Sequence, residues 1–358
     1  MSPPLNYNAM FYFSLFFLSL ALTVFLSLLV RRLAWTWQVI DRPDFGQAGS
    51  RKIHQVATPL LGGVAVFVAY FFWLFFFAGR FLSGDLVWSH LIGFAVGGLI
   101  LVVGGALDDK FNFSPARQLV FPILAVASVI GGGVEIARLT NPWGGFIDLR
   151  PLVFVSPLLI AAWLMGMMYT TKLLDGVDGL VSGVGAIGGL IVFLFTVTTR
   201  YYQPDIALAA ILLAGTSAGF LVLNWHPAKI FLGEGGSLLL GYILGVLAII
   251  SGSKIAIALL IMGIPILDVA WTIVRRLMGG QNPFKFSDQR HLHHRLLSLG
   301  FSQRATVLVF YCLALSFGIS GLFLQSRGKV GALVILVVVM FLIVISVERW
   351  DRRRRKDL

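Results

Sequence analysis

The sequence predicts an all-α protein, a polytopic membrane helical bundle. Of its 358 residues, 58% are hydrophobic and only 12% are charged, about half the charged fraction of a soluble domain. The mean hydropathy is +0.89. Apolar runs long enough to cross ~30 Å of hydrocarbon recur from one end of the chain to the other. These observations exclude an ordinary soluble fold.

Eleven apolar runs predict eleven membrane helices. Ten is the alternative count, because only SGSK (251–254) separates two of the runs. No basic segment precedes the first run, so we expect a retained helix and not a cleaved signal peptide. The chain shows no internal repeat, and residues 1–348 are predicted to form a single transmembrane domain. The predicted spans are 10–31, 59–79, 89–107, 117–134, 151–168, 180–199, 206–224, 237–251, 253–273, 305–324 and 330–347.

Basic residues predict the orientation of the bundle. The first loop and every second loop after it hold 21 of the 28 lysines and arginines, and the other loops hold seven. Loops rich in Lys and Arg stay in the cytoplasm, so we expect the N-terminus outside and the C-terminus inside an inner or plasma membrane. The net charge of +12 has the same origin, and nucleic acid is not an expected partner. The basic cytoplasmic tail, 349–358, is expected to contact anionic membrane lipids.

Two aspartate pairs follow apolar runs on the predicted cytoplasmic side. GGALDDK (104–110) contains Asp108 and Asp109, which repel each other unless a cation lies between them or one is protonated. KLLDGVDGL (172–180) contains Asp175 and Asp178, whose spacing predicts neighbouring positions on one helical face. Such oxygen ligands suit Mg²⁺ together with phosphates. A solvated loop and a turn with two capping aspartates are the respective alternatives.

A glycine-rich turn and a histidine-rich segment add groups that bind phosphate. PAKIFLGEGGSLLLG (227–241) places Glu234 at a helix start, where backbone N–H groups can receive phosphate oxygens. DQRHLHHRLLSLG (288–300) holds three histidines and two arginines, which are donors for phosphate or a nucleotide. No cysteine lies nearby, which argues against zinc. A solvated basic loop is the remaining alternative.

Two other segments allow a functional or a structural interpretation. In RKIHQVATPLLGG (51–63), Lys52 and His54 either contact an anion or only supply positive charge inside. Asp268 is ionisable and lies within a predicted span, where pairing with Arg275 would make it structural. Together, the motifs on one membrane face suit a water-soluble substrate with a pyrophosphate, and the bundle gives a lipid access from the side.

In this order the motifs resemble the polyprenyl-phosphate N-acetylhexosamine-1-phosphate transferase family (glycosyltransferase family 4). The resemblance runs through RKIHQVATPLLGG, LDDK, LLDGVDGL, NWHPAKIFLGEGGS, PILD and RHLHHRL, and covers residues 50–300. It implies transfer of a sugar 1-phosphate from a UDP-sugar to undecaprenyl phosphate, which releases UMP and starts a cell-envelope glycopolymer. It also implies Mg²⁺ as cofactor, with Mn²⁺ as the alternative.

The resemblance further implies roles for individual residues. Asp108 is similar to the carboxylate proposed to activate the lipid phosphate. The implied catalytic residues are Asp108, Asp109, Asp175, Asp178 and His291. The implied metal ligands are Glu234, Asp109 and Asp178. The implied substrate-binding residues are Lys52, His54, Lys172, Asn224, Phe231, Arg290, His293, His294 and Arg295.

Two departures from the family pattern concern the predicted phosphate site. The acidic residue of the glycine-rich turn is usually aspartate, whereas this chain has Glu234, whose longer arm must be accommodated. The family commonly has asparagines three and six residues before Asp175, where this chain has Lys172 and Tyr169. The extra ammonium either helps to bind substrate phosphates or marks an altered specificity. Neither change removes a carboxylate, so activity is still expected.

The expected donor is UDP-N-acetylglucosamine, because HLHHR resembles the simple-aminosugar branch of the family and TPLLGG lacks the PTMGG of the muramyl-pentapeptide enzymes. Another UDP-N-acetylhexosamine or UDP-muramyl-pentapeptide is the alternative donor. A transporter for anionic nucleotide sugars is the rival from another class, and it predicts charges near the membrane midplane and pseudo-repeats. A homodimer is compatible with the sequence.

Overall fold

The computed structural model describes residues 9–43, 56–82, 86–198, 202–251, 255–280 and 291–354. Its helices are α1 (Ala9–Thr36), α2 (Gly62–Phe81), α3 (Trp88–Phe111), α4 (Pro115–Gln118), α5 (Val120–Gly131), α6 (Val155–Leu174), α7 (Leu180–Thr196), α8 (Pro204–Asn224), α9 (Gly233–Ile250), α10 (Ile255–Ile261), α11 (Gly263–Met278), α12 (Leu292–Ser298), α13 (Gln303–Phe323) and α14 (Ser326–Arg354). Two antiparallel pairs contain the strands, β1 (Ile40–Asp41) with β2 (Thr58–Pro59) and β3 (Arg138–Thr140) with β4 (Phe146–Asp148).

The predicted bundle of membrane helices is confirmed. Among the described residues, eight helices are long and apolar enough to cross a membrane, and the bent pair α10–α11 is a ninth candidate. Two shorter apolar segments, Pro115–Gly131 and Leu180–Thr196, lie where spans were predicted at 117–134 and 180–199. The count of eleven and the orientation stay predictions. Helix α14 continues to Arg354, so the predicted tail begins as helix.

The span predicted at 253–273 is broken, which corrects the expectation of one continuous helix. α10 ends at Ile261, α11 begins at Gly263, and the two axes differ by 80°. Pro265 explains the break, because its ring in a continuous helix would collide with the carbonyl of Ile261, four residues earlier. After the bend, α11 brings Asp268 within hydrogen-bonding distance of His291.

Helices α8 and α9 form the centre of the bundle. Their most apolar windows are 83% and 89% buried, compared with 28% for α1 and 22% for α14. A Cβ atom on Gly105 of α3 would lie 2.0 Å from the backbone nitrogen of Gly235 in α9, and one on Gly63 of α2 would lie 2.4 Å from the Cα of Gly236. Such small-residue contacts let backbones approach in a membrane, where water exclusion does not drive helices together. They fix α2 and α3 against the start of α9.

We expect Gly105→Ala to destabilise the bundle, because the new methyl group would meet backbone atoms that no rotamer change can move. The overpacking should cost about 3 kcal/mol or more and should lower the apparent melting temperature in detergent by about 5 °C or more. Gly166→Ala in α6 is the matched control, since its Cβ would meet no atom within 4 Å. Equal melting temperatures for the two variants would contradict the close α3–α9 contact.

Candidate active site

An acidic pocket lies at one end of the bundle, where α3, α6 and α8 end and α7 and α9 begin. Its volume is about 290 Å³. Five carboxylates line it, those of Asp41, Asp109, Asp175, Asp178 and Glu234. The side chains of Lys172, Asn224 and Phe231 also line it. Motifs that are more than 100 residues apart in the sequence therefore meet in one cavity, which we call the acidic pocket.

The adjacent aspartates at the end of α3 have separate partners. Both carboxylate oxygens of Asp109 accept the backbone N–H of Glu234, at 3.1 Å each. Asp108 is buried, and it accepts the backbone N–H of Phe113 at 2.7 Å and the side-chain amide of Gln118 at 3.0 Å. Successive residues of a helix point ~100° apart, so one site does not hold both groups. Asp109 lines the acidic pocket, and Asp108 holds the turn that follows α3.

Gly233 makes the contact between Asp109 and α9 possible. Its φ angle is +73°, a left-handed conformation that favours glycine. A Cβ atom at this position would also lie 2.4 Å from Oδ2 of Asp109. The glycine-rich turn thus directs a backbone N–H from the helix start towards a carboxylate of the pocket, as helix N-termini do for anions.

Lys172 connects Glu234 of the glycine-rich turn with the aspartate pair at the end of α3. Its ammonium forms an ion pair with Oε1 of Glu234 and donates a hydrogen bond of 3.0 Å to Oε1 of Gln118. Gln118 in turn donates to Asp108. The exposed fractions of the Lys172 and Glu234 side chains are 15% and 18%, so the pair is largely removed from water. A chain of polar contacts therefore runs from Glu234 to Asp108.

Asp175 and Asp178 occupy the turn between α6 and α7. The prediction that they share a helical face was wrong, because α6 ends at Leu174 and α7 begins at Leu180. Burial, with the nearby carboxylates of Glu234 and Asp178, raises the pKa of Asp175 to about 7. In the absence of a bound cation, the acidic pocket therefore tends to retain a proton at neutral pH.

The loop after α8 fixes this turn from the other side. Oδ2 of Asp178 accepts hydrogen bonds from Nδ1 of His226 at 2.7 Å and from the backbone N–H of Ala228 at 3.1 Å. Arg304 at the start of α13 donates to the carbonyl of His226. These bonds hold the Asp178 carboxylate in one orientation at the edge of the acidic pocket.

Asn224 links the same two segments. Its Oδ1 accepts from the backbone N–H of Gly179 at 3.1 Å and from the hydroxyl of Ser182 at 2.9 Å, while its amide donates to the carbonyl of Ile230 at 3.0 Å. The side chain is buried. Asn224 therefore lines the pocket and also holds the start of α7 against the loop after α8.

The histidine segment, His291–Arg295, packs beside the aspartate turn. Nδ1 of His291 donates to Oδ2 of Asp268 at 2.9 Å, and Oδ1 of Asp268 accepts the backbone N–H of Leu292 at 3.0 Å. His293 is buried, which lowers its pKa well below the usual value, so its ring is neutral. A Cβ atom on Gly176 would lie 2.8 Å from Nε2 of His293. The segment thus contacts the backbone of the aspartate turn.

Most predicted site residues that the structure describes meet at or beside the acidic pocket. His293 and His294 lie beside Gly176, the His291 ring stacks on that of His293 with a centroid distance of 5.9 Å, and Arg295 lies partly exposed in α12. Lys52, His54 and Arg290 lie outside the described residues. Of the predicted site residues, those that line the pocket are Asp109, Lys172, Asp175, Asp178, Asn224, Phe231 and Glu234.

Three residues of this site were not predicted from the sequence. His226 lies in the NWHP segment between two predicted site residues and on the predicted cytoplasmic side, which was a usable signal. Asp41 and Gln118 had no such signal, because Asp41 is an ordinary polar residue after the first apolar run and Gln118 stands at the start of the span predicted at 117–134. Their roles depend on contacts across the bundle.

The donor chemistry of the acidic pocket fits a magnesium ion. In the described parts of the chain, no three His, Cys, Asp or Glu side chains converge closely enough to hold a metal by themselves. Magnesium sites in phosphoryl-transfer enzymes usually take only one or two protein carboxylates and fill the shell with substrate phosphates and water. The carboxylates of the pocket can supply such a partial shell.

The chain is similar in sequence to known proteins over most of its length. The sequence profile of glycosyl transferase family 4 matches residues 91–252. The chain is 30% identical over 342 residues to the probable undecaprenyl-phosphate N-acetylglucosaminyl 1-phosphate transferase of Bacillus subtilis (strain 168), which covers 92% of this chain and 90% of the relative. It is also 30% identical over 322 residues to the decaprenyl-phosphate N-acetylglucosaminephosphotransferase of Mycobacterium tuberculosis (strain ATCC 25618 / H37Rv), with 81% and 78% covered. The undecaprenyl-phosphate alpha-N-acetylglucosaminyl 1-phosphate transferase of Yersinia pestis is 30% identical over 301 residues, with 80% and 77% covered.

Proposed function

The chain belongs to glycosyl transferase family 4, the polyprenyl-phosphate N-acetylhexosamine-1-phosphate transferases, and on that premise we propose that it transfers N-acetylglucosamine 1-phosphate from UDP-N-acetylglucosamine to undecaprenyl phosphate. The reaction releases UMP and starts a lipid-linked cell-envelope glycopolymer. As an enzyme it is a membrane-embedded glycosyl-1-phosphate transferase.

The observation that carries the proposal is the meeting of five carboxylates and one ammonium in the acidic pocket at the end of the bundle. Carboxylates lined up in this way repel a diphosphate unless cations accompany it, and phosphoryl transfer proceeds mainly by positioning and charge stabilisation. The relatives that are named for N-acetylglucosamine support that sugar over another N-acetylhexosamine or muramyl-pentapeptide.

In the proposed reaction, a phosphate oxygen of the lipid attacks the sugar-linked phosphorus of the donor. A new P–O bond forms to the lipid phosphate, and the P–O bond to UMP breaks. In this proposal Asp109, which lines the pocket, accepts a proton from the lipid phosphate, and Asp178, which His226 holds, contacts the donor. Lys172 offers its ammonium to donor phosphates. Catalysis by Asp108 stays a prediction; in the structure that carboxylate accepts the backbone N–H of Phe113 in the turn after α3.

A magnesium ion would be held by one or two of the carboxylates of Glu234, Asp109 and Asp178, the ligands that the family resemblance implies, and substrate phosphates and water would complete its shell. When bound, it would neutralise the charge that develops on the transferred phosphoryl group. We further propose that the acidic pocket faces the cytoplasm from an inner or plasma membrane, because most basic residues lie in loops at that end.

The test is a transfer assay with purified full-length protein in detergent, undecaprenyl phosphate, Mg²⁺ and UDP-N-acetylglucosamine labelled in the sugar. We expect label to enter the lipid phase while UMP appears in the aqueous phase in equal amount. EDTA should abolish the transfer, and Mn²⁺ should restore it.

Parallel reactions with other UDP-N-acetylhexosamines and with UDP-muramyl-pentapeptide identify the donor. Faster transfer from one of these would replace N-acetylglucosamine in the proposal. Folded protein that transfers none of the donors would refute the proposed reaction.

A further inference from the structure

The ion pair between Lys172 and Glu234 links the two departures from the family pattern. In that pattern an asparagine and an aspartate stand at these positions, whereas here a lysine and a glutamate stand there. In the structure the two side chains contact each other directly. The longer acidic arm and the new ammonium therefore form one arrangement.

The exchange changes the charge of the acidic pocket. Asparagine with aspartate contributes one negative charge, and lysine with glutamate contributes none. Lys172 keeps this position through a second bond to Gln118 and lies 5.5 Å from the ring centroid of Tyr169, which replaces the other asparagine of the pattern. The other two altered positions, Tyr169 and Glu234, thus both adjoin the ammonium group of the third.

We propose that the Lys172 ammonium is a resident cation of the acidic pocket, which neutralises Glu234 and weakens the binding of a divalent metal before substrate arrives. The inference concerns the metal of the proposed function, but its test needs no substrate. A diphosphate entering the pocket would then compete with Glu234 for the ammonium and would bring its metal with it.

Simple electrostatics gives the expected size of the effect. The Lys172 ammonium and the metal would share the same carboxylate, which places a single and a double positive charge within a few ångströms. Even in a protein environment with an effective dielectric constant of about 20, this repulsion weakens metal binding by at least about tenfold.

The experiment measures Mn²⁺ binding to purified full-length protein in detergent without substrate, by the loss of the EPR signal of free Mn²⁺. Lys172→Met and Lys172→Asn remove the charge, and we expect at least about tenfold tighter binding in both. The double variant Lys172→Asn with Glu234→Asp restores the family pattern and should also bind more tightly than the wild type. Lys172→Arg keeps the charge and should bind like the wild type.

Lys329→Met is the matched control, because it removes a lysine that lies over the Phe195 ring at the other end of the bundle. It should leave Mn²⁺ affinity unchanged. Melting temperature and elution volume establish which variants are folded. If folded Lys172→Met and Lys172→Asn bind Mn²⁺ no more tightly than the wild type, the proposal is overturned. It is also overturned if none of the uncharged variants folds, because Lys172 would then be a structural residue.

The transfer assay separates this inference from the proposed reaction. Tighter Mn²⁺ binding in the uncharged variants, with no transfer from any donor by the wild type, would support the resident cation and refute the reaction. Transfer by the wild type with equal Mn²⁺ affinities in all variants would support the reaction and refute the resident cation.

Discussion

Asp109→Asn should reduce sugar-phosphate transfer by a factor on the order of 10³, whereas Asp108→Asn should reduce it far less. Asparagine preserves the shape of the side chain but removes the negative charge from the pocket. Its amide group would also face the backbone N–H of Glu234, which now donates to both oxygens of Asp109. The measurement is the initial rate of lipid labelling at saturating donor and acceptor.

The comparison with Asp108→Asn makes the prediction specific to position. Asp108 accepts hydrogen bonds from Phe113 and Gln118. Its replacement should therefore lower the melting temperature but reduce the transfer rate only a little. Asp148→Asn is a control for charge removal, because Asp148 is an exposed carboxylate paired with Arg150 on the β3–β4 hairpin. A greater loss of activity in Asp108→Asn than in Asp109→Asn would contradict the assignment of the pocket carboxylate.

Asp268→Asn should reduce the maximal rate by a factor on the order of 10² without unfolding the protein. The carboxylate accepts from Nδ1 of His291 and from the backbone N–H of Leu292. An asparagine can keep the bond to Leu292, but its amide would then donate towards His291 and would favour the opposite tautomer of the ring. The measurement is the maximal transfer rate together with the melting temperature.

Asp205→Asn is the matched control for Asp268→Asn. Asp205 is also buried and also accepts backbone N–H groups, those of Leu86 and Ile206, both at 2.8 Å. It belongs to the start of α8, away from the acidic pocket. We expect its replacement to leave the rate per folded molecule unchanged. Equal loss of rate in both variants would mean that Asp268 acts on stability alone.

Much of the fold could be predicted because membrane helices carry their signal in continuous apolar runs. Apolar helices lie at each predicted span. The break at Pro265 was readable in principle, because proline ends a helix. It was overlooked because hydropathy averaged over a window continues smoothly across GIPIL. The β3–β4 hairpin has no strong pattern, since its short strands carry no long alternation.

The composition of the candidate site was predicted better than its internal contacts. Motifs indicated which side chains belong together, because each stands at the end of an apolar run on one face. Which side chains contact each other depends on the direction in which each one points within the bundle. The spacing of residues in the sequence does not give these directions. Asp108 and Asp109 are neighbours in the chain and have different partners, whereas Lys172 and Glu234 are 62 positions apart and touch.

The contacts of Gly235 with Gly105 and of Gly236 with Gly63 have a mechanical consequence for the enzyme. They directly follow Glu234 in α9, so they prevent α2 and α3 from sliding along α9 near the carboxylates. A slip of one residue would displace a helix by ~1.5 Å, enough to misalign the Asp109 bond to Glu234. We therefore expect changes in bilayer thickness to displace first the helices α1 and α14, whose apolar windows are only 28% and 22% buried, while the acidic pocket keeps its alignment.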